Sequence, residues 1–137
     1  MSLRWPATIA MLCILRGSVA AAADESDTLQ AKFVGTWEHR TGDRLTVVTW
    51  DADGTWRSKT TEGTRLVFAL SGVWWVKDGE HHGVCLRSSD PTVLRGEDEA
   101  NEIVEVTDAH YTVKDRRGNP KKYERVNTAT NKPAAPP

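Results

Sequence analysis

The sequence predicts an all-β protein: a single small up-and-down antiparallel barrel of about eight strands, preceded by an N-terminal signal peptide. Three observations lead there. A Gly-x-Trp pattern recurs along the chain, as Gly35-Thr36-Trp37, Gly54-Thr55-Trp56 and Gly72-Val73-Trp74. Short runs rich in β-branched and aromatic residues alternate with tight turns rich in Gly and Asp. The candidate strands can be counted to an even number, which lets the first and last close antiparallel and removes the exposed edges of an open sheet.

Length and charge bound the answer. The 137 residues suit one domain, and a formal net charge of −1 gives no global attraction for nucleic acid. At the N-terminus, Arg4 precedes the apolar run Ala7-Thr8-Ile9-Ala10-Met11-Leu12-Cys13-Ile14-Leu15, and Ala20 to Ala23 supply small residues before Asp24. This order reads as a signal peptide over residues 1–23, with an apolar stretch too short to span a bilayer. The expected product is exported, periplasmic or extracellular, with no stable membrane insertion after cleavage. Cys13 leaves with the leader and Cys85 remains alone, so no internal disulfide can form. Within Gly83-Val84-Cys85-Leu86, Cys85 reads as a buried, inert thiol.

The remaining elements follow in order. Residues 24–32 form a flexible or helical arm, 33–126 the barrel, and 127–137 a disordered Pro/Ala tail. Strand one is expected over 34–40, strand two over 45–50 and strand three over 55–60. The apolar run 66–76 is read as one long strand bent at Ser71-Gly72, since a glycine bend serves a barrel corner. Residues 77–80 turn the chain, 83–87 form a strand, and 88–101 form the long loop. Strands at 102–106, 110–114 and 121–126 complete the set. With this alternation the turns at 41–43 and 61–64, the long loop and the turn 115–119 share one end of the barrel. The tight turns at 51–54, 77–82 and 108–109 share the other.

Gly35-Thr36-Trp37, the Asp53-Gly54-Thr55-Trp56 hairpin, Gly72-Val73-Trp74 and Tyr123-Glu124-Arg125 together resemble the lipocalin-type (calycin) pattern. The resemblance is closer to the small exported lipocalin-like domains of bacteria, and it covers roughly residues 30–126. It implies that a basic side chain of the last strand, here Arg125, stacks on the first-strand Trp37. A pairing of Val34 near Val126 and Gly35 near Arg125 would make Trp37 and Arg125 diagonal neighbours on one face. Gly35 would leave room for the stack. This structural closure shuts one end, so a ligand must enter at the long-loop end, with His39 and Trp56 as its lining candidates.

Other chemistry is weakly represented. Asp51-Ala52-Asp53-Gly54 has two acids of a calcium loop, but Thr55, Arg57 and Lys59 stand where further ligands would be needed. His81 and His82 are adjacent, point to opposite faces of any strand, and read as part of a solvated turn. Trp37, Trp56 and Trp74 are expected to face inward; Trp50 and Trp75 are not placed by parity. No Ser–His–Asp, paired-carboxylate or phosphate-loop pattern stands out. The expectation is therefore a non-enzyme with no catalytic residue, cofactor or metal. Its partner is a small apolar ligand in the barrel mouth or, alternatively, an envelope protein meeting a filled barrel.

Overall fold

The computed structural model describes residues 18–93 and 95–127, with side chains from Glu25 onward. One helix, α1 (Ser18–Phe33), precedes eight strands: β1 (Gly35–Thr41), β2 (Arg44–Trp50), β3 (Thr55–Glu62), β4 (Arg65–Lys77), β5 (Glu80–Ser88), β6 (Asp98–Val106), β7 (His110–Lys114) and β8 (Pro120–Arg125). Each strand pairs antiparallel with the next, and β8 returns to β1, so the sheet is a closed up-and-down barrel. The boundary expected at residues 23 and 24 falls inside α1. Residues 1–17 of the segment read as a leader, and 128–137 of the tail, lie outside the described residues.

The alanine run 20–23 favours helix, and the helix ends by inserting Phe33 into the base of the barrel, where it is fully buried. Consequently β1 starts at Gly35 rather than at residue 34. The β1–β8 register also differs from the expected one by two residues: Trp37 lies opposite Arg125 and Glu38 opposite Glu124. A shift of two preserves which face each side chain occupies, so Trp37 and Arg125 remain together, now as direct cross-strand partners. Among the described residues, no helix is long and apolar enough to cross a membrane.

β4 is a single strand of 13 residues. Its pairing with β5 shifts register between Ser71 and Gly72. A Cβ on Gly72 would collide with the backbone oxygen of Val84, so glycine is what allows the two backbones to approach there. β5 begins at Glu80, three residues earlier than expected, and β6 at Asp98, four residues earlier. The long loop is correspondingly shorter. Acidic Asp98 and Glu99 pair with Val84 and Gly83 of β5; charge did not keep them out of a strand because they stand near the solvated rim.

The packed core runs from the helix end up to the middle of the barrel. Phe33, Trp37, Val48, Trp74, Val76, Tyr111 and Val113 are buried there, with Leu29, Trp50, Trp56 and Ile103 packed around them. Gln30 of α1 accepts a hydrogen bond from the Val76 amide at 3.0 Å, which ties the helix to the barrel wall.

Candidate functional site

The base of the barrel is sealed by the last turn of α1. Trp37 donates its indole N–H to the Phe33 carbonyl at 2.7 Å. Arg125 donates to the carbonyls of Val34 and Lys32, each at 3.1 Å, and to Asp108 at 2.5 Å. A cation and an indole thereby satisfy carbonyls that a helix C-terminus leaves unpaired. With that end closed, the interior opens at the other, between the turns after β1, β3 and β7 and the loop after β5.

The barrel is not filled by its own side chains. Above the aromatic base lies a cavity of about 890 Å³, within the range of small-molecule sites. Its lining changes with depth. Trp50, Trp56, His81 and Tyr111 form the floor, while Val48, Leu70 and Val113 alternate with Thr46, Ser58 and Thr60 at mid-height. Both signs of charge stand at the rim, where Arg44, Arg117 and Lys121 face Glu97, Glu99 and Asp115. The lining is thus mixed in polarity.

Both sequence-chosen lining residues are on the cavity wall, in different roles. His39 Nδ1 donates to the Lys122 carbonyl at 2.8 Å, its Nε2 meets the Thr41 hydroxyl at 2.9 Å, and its ring lies 5.1 Å from that of Tyr123. Both nitrogens are engaged with the protein, so His39 braces the wall between β1 and β8. Trp56 lies beside Gly72 and Gly83, with its N–H shared between the carbonyls of Val73 (3.0 Å) and Val84 (3.3 Å). Trp50, which parity left unplaced, faces inward opposite Trp56 with the ring centres 5.7 Å apart. Trp75 faces outward and stacks on His82.

The His81-His82 pair corrects the sequence expectation of a solvated turn. Both residues belong to β5, and alternation separates them completely. His82 lies on the outer face, with Asp98 at 2.9 Å and Glu80 at 3.4 Å. His81 is 5 % exposed and sits among Phe33, Trp50 and Trp74. Burial, more than the adjacent His82, lowers its pKa to about 4, so the ring is neutral near pH 7. Its Nε2 has no hydrogen-bond partner among the described residues. The usable signal was the alternation of His81, Gly83 and Cys85, which becomes visible only once the strand is known to begin at Glu80.

Burial also raises two phenols. Tyr111 is pushed well above its ordinary value and accepts a 3.2 Å hydrogen bond from Trp50. Tyr123 is pushed up to about 12, first by burial and then by the Glu99 carboxylate. Cys85, expected to be buried, is half-buried on the cavity wall, with its thiol 3.3 Å from the Arg87 carbonyl.

No protein-family model and no curated protein matches the chain. Among solved structures it is similar to the NMR structure of a protein from Bacteroides thetaiotaomicron VPI-5482. That similarity has a TM-score of 0.53 at 9 % identity, and it covers 72 % of this chain and 92 % of the other. At that identity it supports the eight-stranded antiparallel barrel and carries nothing about activity.

Proposed function

We propose that this protein is a lipocalin-like binding module, exported from the cell, that holds a small molecule in the barrel and performs no catalysis. The observation that carries the reading is the cavity itself. It is of ligand size, closed at the α1 end and open at the loop end. The aromatic floor favours an apolar portion of the ligand, and the hydroxyl-bearing middle and charged rim favour a polar portion. The ligand is accordingly amphipathic rather than wholly apolar. Support for export comes from the sequence of residues 1–23 alone.

Native mass spectrometry of the protein purified from its own cells tests the binding reading. A small molecule released on denaturation is the expected result. Protein that is repeatedly ligand-free, and that shows no cavity chemical-shift changes with any member of an amphipathic compound set, would overturn it. N-terminal sequencing of protein recovered outside the cytoplasm tests export: a start near Asp24 is expected, and retained Met1 contradicts it.

A further inference from the structure

The floor of the cavity contains a flat platform whose polar atom is already satisfied. Trp56 points inward from β3, opposite Gly72 of β4 and beside Gly83 of β5. With no side chain at either position, the indole can lie against the wall. Its one N–H is shared between two backbone carbonyls of that wall, Val73 and Val84. What remains for a ligand is the aromatic face, set at 51° to the ring of Trp50.

Higher in the cavity, the hydroxyls divide into two kinds. Those of Thr46 and Thr60 hydrogen-bond each other at 2.8 Å. Those of Ser58 and Tyr123 make no hydrogen bond within the protein among the described residues and belong to side chains that line the cavity, where their oxygens stay accessible. The Tyr123 ring is held by stacking on Tyr111, with centres 4.7 Å apart, and by His39. Burial and Glu99 keep the phenol protonated, so it remains a hydrogen-bond donor as well as an acceptor.

We propose that the ligand is a planar aromatic molecule bearing a hydroxyl group, stacked on Trp56 and held through its hydroxyl by Ser58 and Tyr123. This rests on the cavity being a binding site, as proposed above. A wholly aliphatic ligand would leave both hydroxyls unpaired. A sugar could stack on Trp56, but only some of its hydroxyls would find partners, in Ser58, Tyr123 and His81, and the others would meet the carbon surfaces of Val48, Leu70, Val113 and Trp50. The charged side chains stand at the rim, so the portion of the ligand on the floor is neutral.

Calorimetric titration of the full-length protein with three bicyclic probes tests the class. The probes are 2-naphthol, its methyl ether 2-methoxynaphthalene, and decahydro-2-naphthol, which keeps the hydroxyl but is not flat. Wild-type protein should bind 2-naphthol about tenfold more tightly than either of the others. Ser58→Ala combined with Tyr123→Phe should abolish the preference over the methyl ether while keeping the preference for the flat ring. Trp56→Leu should do the reverse. Should Trp56→Leu fail to fold, the wild-type comparison of flat and saturated rings decides that arm. Equal binding of all three probes by wild type overturns the proposal, as does a hydroxyl preference that survives the double substitution. Binding of 1-decanol without any ring probe would sink the aromatic class and keep the cavity reading. Binding of none of the four, with no co-purified molecule, would sink both.

Discussion

The Arg125 guanidinium lies 4.0 Å from the centre of the Trp37 ring, and the same guanidinium binds the carbonyls of Val34 and Lys32 where α1 gives way to β1. The pair therefore joins first strand, last strand and helix end. Gly35 makes this possible: it adopts φ +138, and a Cβ there would collide with Arg125 Nη1.

Replacing Arg125 with Ala removes the stack and leaves several carbonyls unpaired. The expected loss is about 2–4 kcal/mol by chemical denaturation. Arg125→Lys should recover part of it, since Lys keeps a charge but lacks the planar fork. Unchanged stability in Arg125→Ala would show that the contact contributes nothing.

Gly72→Ala should destabilise the barrel by at least about 2 kcal/mol, because its Cβ would meet the Val84 carbonyl directly. That carbonyl also accepts from Trp56, so the emission of the tryptophans should change in the folded variant. Gly63→Ala is a useful control: a Cβ there meets nothing within 4 Å, and the remaining cost is that of its positive φ, of 61°.

Acid should destabilise the protein in a window set by His81. Folding lowers its pKa from 6.5 to about 4, so the unfolded chain takes up a proton that the folded one refuses. The associated stability is complete above pH 6.5 and is lost as pH falls toward 4, by about 3 kcal/mol in all. Asp53, Asp90 and Asp115 are held below ordinary carboxylate values by hydrogen bonds within their own turns, so their loss comes at lower pH. Urea unfolding from pH 7.5 to 4 should show the slope in wild type and a flatter one in His81→Phe. Parallel slopes would exclude His81 as its source.

Cys85 on the cavity wall should react with a small thiol reagent in the folded protein. Filling the cavity should slow that reaction, read by mass spectrometry at intervals. A rate unaffected by a bound probe would place the thiol outside the occupied volume.

Much of the fold was legible because local pattern and global closure agree. Strands such as β2 announce themselves by β-branched residues, the irregularity in β4 by Ser71-Gly72, where the pairing with β5 shifts register, and the shared face of Trp37 and Arg125 by a parity that a two-residue register shift leaves intact. The gathering of the longer loops at one end also followed from the strand count, since strands that alternate in direction return every second turn to the same side. Other features depended on where an element begins. The turn before β5 was read as running to residue 82, so His81 looked solvated. Starting the strand at Glu80 places it in the core and His82 on the surface. The cavity and its chemistry arise from three-dimensional packing. Whether a barrel of this size is filled depends on how far Phe33 enters the base and how flat Trp56 lies against two glycines. Which hydroxyls are left over depends on pairings across strands, Thr46 with Thr60 but not Ser58. These are distances between residues far apart in the chain, and composition and periodicity do not contain them.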